Sequence, residues 1–180
     1  GAISIARSIT ADSTDDIPAN NTISNIDFTV TDFIYARDNG TPSGSTSNGT
    51  DGFEAGNLFD IFQDATLKAI NVRMPSGASG ATVGTEIFVK LYSIDATTGD
   101  FLFESESAPL TLVAANLGTN LVMELAPYID VVAGTTYLAV IGSYGTGLRV
   151  SNAGKSDPQT SFFLDMADNT WYYTTNTPIV

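Results

Sequence analysis

The chain contains no cysteine and no histidine. Without cysteine there is no disulfide, no thiolate metal site and no cysteine nucleophile. Without histidine the commonest general base is missing, and with it Ser–His triads and most zinc or copper sites. Positive charge is scarce too: 7 Lys+Arg stand against 20 Asp+Glu, a formal net charge of −13. A surface of that sign repels phosphate backbones and anionic lipid, which disfavours nucleic acid and membranes as partners. No apolar run approaches the roughly 18 residues of a membrane-spanning helix. No charged-then-apolar leader opens the chain at Gly1, which leaves export permitted.

What fills the 180 residues is an ordinary apolar fraction, 43%, and a charged fraction of only 15%, against ~25% in an average globular chain. Thr, Ser, Asn and Gly take the place of charge, the residues of turns and solvated strand faces. That length suits a single sandwich core without staples.

The hydrophobic pattern has the period of strands. Ile3, Ile5 and Ile9 alternate with mostly polar neighbours, and an acidic stretch with Asp12, Asp15 and Asp16 follows as a linker. Ile26–Val30 alternates again. Residues 38–56 are rich in glycine and carry Pro42, so they read as a long surface loop. Beyond it, Leu67–Met74 places Ile70, Val72 and Met74 on one face. Glu86–Tyr92 is the clearest strand, with Ile87, Val89 and Leu91 toward the core and Glu86, Lys90 and Tyr92 outward. The turn Asp95–Asp100 joins it to Phe101–Glu104 as a hairpin. Further strands recur at turn-punctuated intervals, and Val113–Leu117 forms one helical turn at most. The expectation is an all-β antiparallel sandwich, jelly-roll-like, with about ten to twelve strands and an immunoglobulin-like topology as the second choice. Residues 1–24 are set apart as an N-terminal strand and acidic linker, and residues 25–180 as the sandwich.

Three sets of side chains are candidates for function. Asp38, Asn39, Asp51 and Glu54 can supply hard oxygen ligands from a pliable loop, as calcium requires, although their spacing does not match the EF-hand. The competing reading is a solvated loop whose acids face water. Trp171 and Tyr173 share a strand face and can stack on sugar rings, while Tyr172 takes the other face; cross-strand pairing in a core is the plainer alternative. Ile3, Ile5 and Ile9 form the third set. An isolated strand is marginal until it joins a sheet. It either completes its own sandwich or adds to the edge of a neighbouring subunit as a donor strand. Glu104 and Glu106, at i and i+2, share one strand face; as a hydrolytic pair they carry little, because nothing fixes their separation from other acids. The sequons Asn20-Asn21-Thr22 and Asn48-Gly49-Thr50, and the bacterial acceptor-like Asp12-Ser13-Thr14, all fall in expected loops.

From about Asp51 to the end the chain resembles uncharacterised secreted β-sandwich domains of marine Bacteroidota. The resemblance is carried by Gly52-Phe53-Glu54-Ala55-Gly56-Asn57, by Ala65–Val72, and by Val132-Ala133-Gly134-Thr135-Thr136-Tyr137. Its most specific part is Phe163-Leu164-Asp165 followed by Asp168-Asn169-Thr170-Trp171-Tyr172-Tyr173. It implies export as cargo of the type IX secretion system and a place in a cell-surface or released protein, and it transfers no catalytic or binding residues. The combined expectation is a non-catalytic extracellular structural or adhesive domain, part of a filament or fibre, whose partners are copies of itself or other extracellular proteins. The alternative is a carbohydrate-binding module with a structural calcium.

Overall fold

A computed structural model describes residues 2–8, 22–29, 34–38, 40–49 and 51–180. The chain divides into two compact units, Gly1–Tyr35 and Ala36–Val180.

The first unit holds an antiparallel pair, β1 (Ala2–Ser8) and β2 (Thr22–Thr29). Its register sets Ile3 opposite Phe28 and Ile5 opposite Ile26, with an irregularity between Ile5 and Arg7. The boundary expected after residue 24 therefore falls inside β2, because residues 22–29 are committed to pairing with β1. The acidic linker with Asp12, Asp15 and Asp16, and Ile9, lie outside the described residues.

The second unit is a β-sandwich of twelve strands: β3 (Gly44–Thr46), β4 (Phe53–Asp60), β5 (Ala65–Arg73), β6 (Glu86–Ile94), β7 (Phe101–Ser107), β8 (Leu110–Thr111), β9 (Asn120–Val131), β10 (Thr136–Ser143), β11 (Val150–Lys155), β12 (Ser161–Asp165), β13 (Thr170–Tyr173) and β14 (Asn176–Pro178). The larger sheet runs β13-β12-β4-β10-β6-β7-β9-β5, with β8 also on β6, and the smaller runs β14-β11-β3. Every pairing is antiparallel. Between β7 and β9 only Glu106↔Ala126 and Ser107↔Leu125 are paired, so the sheet turns there. Ile179, just past β14, accepts from the Arg73 N–H at 3.1 Å and donates to the Ser151 carbonyl at 2.8 Å, which ties the small sheet to the end of β5. The chain crosses repeatedly between the two layers, as in a jelly roll. Among the described residues no helix is long and apolar enough to cross a membrane.

The hairpin β6–β7 forms as its sequence predicts. The Asp95 carboxylate accepts from the N–H groups of Thr97 at 2.7 Å and Thr98 at 3.0 Å, which closes the turn. Ile70, Val72 and Met74 are buried, and Ala114–Asn116 forms the expected helical turn, of the 3-10 type, as does Gly77–Ser79. Two expectations change. The expected loop over residues 38–56 contains β3 and the first half of β4. On β7, Leu91 pairs with Ser105 but Tyr92 pairs with Phe103, so Glu104 is a bulge residue. Glu104 and Glu106 are thereby out of phase and do not share a face.

The core between the layers is lined by Phe53 and Ala55 of β4, Ile87, Val89 and Leu91 of β6, and Ile141 of β10, all buried. The register sets Ala55 opposite Ile141 and Ile141 opposite Val89, so these side chains stand on one face. The Asn57 amide on the same face donates to the Pro178 carbonyl of β14 at 2.7 Å, which identifies this face as the one turned to the second layer.

Candidate functional site

Strands β4, β10 and β6 are buried on both faces, with burial running through successive residues instead of alternating. The face turned away from the second layer carries Glu54 and Leu58 of β4, Leu138 and Val140 of β10, and Phe88, Lys90 and Tyr92 of β6, as the pairings Glu54↔Gly142, Leu58↔Leu138 and Val140↔Lys90 require. Lys90 and Tyr92 point away from the inter-layer core, as their alternation predicts, yet they are 8% and 9% exposed.

The polar centre of this face is an ion pair. The Lys90 Nζ stands 2.7 Å from Glu54 Oε1, and the Tyr92 hydroxyl donates to Glu54 Oε2 at 2.7 Å. The ammonium also lies 4.3 Å from the centroid of Phe88 and 4.9 Å from that of Tyr144, distances at which a cation is drawn to a ring face. Gly142 makes this arrangement possible. A Cβ there would come within 2.5 Å of the Phe88 ring and 2.8 Å of the Glu54 side chain. Desolvation opposes the Lys90 charge, but hydrogen bonding and attraction from Glu54 and Tyr144 outweigh it and hold the ammonium above the ordinary lysine value of 10.5. Burial, reinforced by the Glu54 carboxylate, holds the Tyr92 phenol well above its ordinary range.

Beside the ion pair lies a run of six aromatic rings. Phe103 meets Tyr92 at 6.2 Å between centroids, Tyr92 meets Trp171 at 5.6 Å, and Trp171 meets Phe101 at 4.9 Å. Phe101 meets Phe162 at 4.9 Å, and Phe162 meets Tyr173 at 4.9 Å. The Tyr92–Trp171, Phe101–Phe162 and Phe101–Trp171 contacts are edge-on, the arrangement the ring quadrupole favours. Burial falls outward along the run: Tyr92 is buried, Phe101, Phe162 and Trp171 are half-buried, and Phe103 and Tyr173 are 58% and 61% exposed. These two rings are the parts of the cluster that water and a ligand reach most easily.

Of the sequence candidates, Trp171 and Tyr173 do share this face, opposite Leu164 and Phe162, while Tyr172 sits on the other and donates to Asp168 at 2.7 Å. Glu54 is not available to a calcium ion: both its oxygens are engaged by Lys90 and Tyr92, and it belongs to β4, not to a loop. Asp38 accepts from the Gly40 N–H at 2.7 Å, and burial raises its carboxyl above the ordinary range despite that bond. Asn39 lies outside the described residues. Among those residues Asp38, Asp51 and Glu54 do not come together, and no group of three or more acids converges on a metal position. Ile3 and Ile5 are exposed on the β1–β2 pair, at 43% and 46%. Asn48 is held by bonds to Asp165 at 2.9 Å and to the Gly52 carbonyl at 3.3 Å.

Sequence reasoning missed Phe101, Phe103 and Phe162 and the Glu54–Lys90 pair. The available signal was a lysine and a tyrosine two apart inside the most apolar strand, with aromatics on the strand that follows. Protein-family models, curated proteins and solved structures show no match to this chain.

Proposed function

We propose that the chain is a non-catalytic adhesive domain of an extracellular or cell-surface assembly, and that it holds carbohydrate on the outer face of its larger sheet. The observation that carries this is the graded aromatic run, locked at Tyr92 and open at Phe103 and Tyr173. Aromatic faces offer apolar area with little rotamer entropy to lose, which suits them to the apolar faces of sugar rings. Export rests on the resemblance to secreted sandwich domains. The non-catalytic part draws on the missing histidine and cysteine. It draws also on Glu54, whose buried carboxylate is ion-paired and hydrogen-bonded instead of free to move a proton.

Isothermal titration against neutral oligosaccharides, chosen from a glycan array, tests the reading. Saturable binding is expected, with Phe103→Ala or Tyr173→Ala weakening it at least about tenfold, the equivalent of ~1.4 kcal/mol. The absence of binding at millimolar neutral glycan, or binding indifferent to both substitutions, would overturn it.

A further inference from the structure

We propose that a second, separate cleft takes up a single oxyanionic group, a carboxylate or sulfate carried by an acidic saccharide or a small acid. The cleft lies where the start of β3, the end of β5 with the segment after it, and β11 meet, and it encloses about 210 Å³. It is remote in kind from the aromatic face: it is lined by Arg73 and by the serines Ser45, Ser76, Ser79 and Ser151, and no carboxylate lines it.

Two buried polar atoms of this lining have no partner, the Nε of Arg73 and the Oγ of Ser151. Ser151 as a whole is 0% exposed. Buried donors without partners are rare in folded proteins, and each one calls for a group to meet it. The Arg73 Nη1 donates to the neutral Asn120 Oδ1 at 3.2 Å, so one side of the guanidinium is anchored, while the Nε on the other side is buried without a partner. That side is the fork that matches two oxygens of one carboxylate or sulfate.

Charge adds a second argument. In a chain of net charge −13, a cation is expected to find an acid. Lys90 and Arg37 do, with Glu54 and Asp60. Among the described residues Arg73 and Arg149 make no ion pair, in common with Lys68 and Lys155, but Arg73 alone of these has a buried, unpartnered nitrogen; the Arg149 Nη1 is 3.4 Å from the Ser45 hydroxyl at the cleft. One guanidinium, that of Arg73, thus lines a serine-rich cavity with no carboxylate in its wall, and a second, that of Arg149, reaches one of the lining serines from outside. Gly118 keeps it open, since a Cβ there would lie 3.1 Å from the Ser76 side chain.

The test is a set of titrations of the whole chain with sodium sulfate, acetate and glucuronate at constant ionic strength set by chloride. Binding is followed by calorimetry and by the NMR signals of Arg73 Hε and the Ser151 and Gly118 amides. Saturable binding with shifts at those signals is expected, and Arg73→Gln or Ser151→Ala weakens it at least about tenfold, while Lys155→Gln leaves it unchanged. Arg73→Lys keeps the charge without the fork, so it should lose glucuronate and acetate more than a purely electrostatic site would. Tighter glucuronate than acetate points to a saccharide acid, and tighter sulfate to a sulfate ester. Shifts that grow without saturating at millimolar anion, or saturation unaltered in the Ser151→Ala chain, would overturn the assignment. Neutral-glycan binding on the aromatic face reports on the other site, so Tyr173→Ala should leave anion binding intact.

Discussion

The two faces of the larger sheet are both closed to water over β4, β10 and β6, but by different means. The inner face is covered by a second layer of strands and is closed with Ile87, Val89, Leu91 and Ile141. The outer face has polar groups at its centre, Glu54, Lys90 and Tyr92, and is covered by rings from β6, β7, β12 and β13. On the outer face the rings become more exposed toward the rim, from Tyr92 to Phe103 and Tyr173, which leaves apolar surface in reach of water. Burial inside such a sheet does not by itself mark the inter-layer core. On one side it reflects packing between layers, and on the other it reflects an ion pair and aromatic rings packed on the sheet itself.

The largest expected difference between the two faces lies at the ion pair. Lys90→Met leaves the Glu54 carboxylate buried without its cation and is expected to cost about 3–5 kcal/mol in urea denaturation. The double variant Lys90→Met/Glu54→Leu should recover a large part of that loss, since replacing both charges by apolar groups removes the desolvation penalty. If the single variant costs no more than the double, the outer face is not held by the pair. On the inner face, Ile141→Ala is expected to cost somewhat less, about 2–4 kcal/mol by the same measurement, through lost contacts and a cavity between layers.

Alkaline pH tests the same difference more gently. The folded-state values of Lys90 and Tyr92 both lie above their ordinary values of 10.5 and 10.0. Their contribution to stability is therefore complete below those ordinary values and is lost as pH rises beyond them. Denaturation profiles should fall above pH 10.0 in the parent chain, and fall less in the Lys90→Met/Glu54→Leu variant. The smallest effect belongs to the rim. Tyr173→Ala and Phe103→Ala should shift stability by no more than about 0.5 kcal/mol, as exposed positions do, while each is expected to weaken the proposed glycan binding.

The sandwich was legible because alternation in β5 and β6 and the turn at Asp95–Asp100 are local signals. The outer face was not, because its closure depends on which strands lie side by side. Lys90 reads as outward and is outward, but only the neighbours Glu54 and Val140 decide that it is dry. Glu54 itself was assigned to a loop because glycines flank it at Gly52 and Gly56. Gly56 is a strand residue whose missing side chain reflects close packing: a Cβ there would run into the Ala139 backbone. Of the candidate site, Trp171 and Tyr173 were readable from their spacing. Phe101, Phe103 and Phe162 were not, since joining β7 to β12 across three other strands, β4, β10 and β6, is a property of the topology alone.

The bulge at Glu104 bears on how this domain can change over generations. Phe103 and Ser105 are two residues apart, a spacing that would put them on one face of a regular strand. The extra residue sets them on opposite faces. Ser105 is thus free to hold the Pro127 carbonyl at 2.7 Å, and Ser107 to take the Val89 N–H at 3.1 Å, where the sheet turns. Meanwhile Phe101 and Phe103 face the outer surface. The two halves of β7 are therefore separable targets for mutation. Substitutions at Phe101 and Phe103 change the rings on the outer face while the serine hydrogen bonds on the opposite face stay as they are.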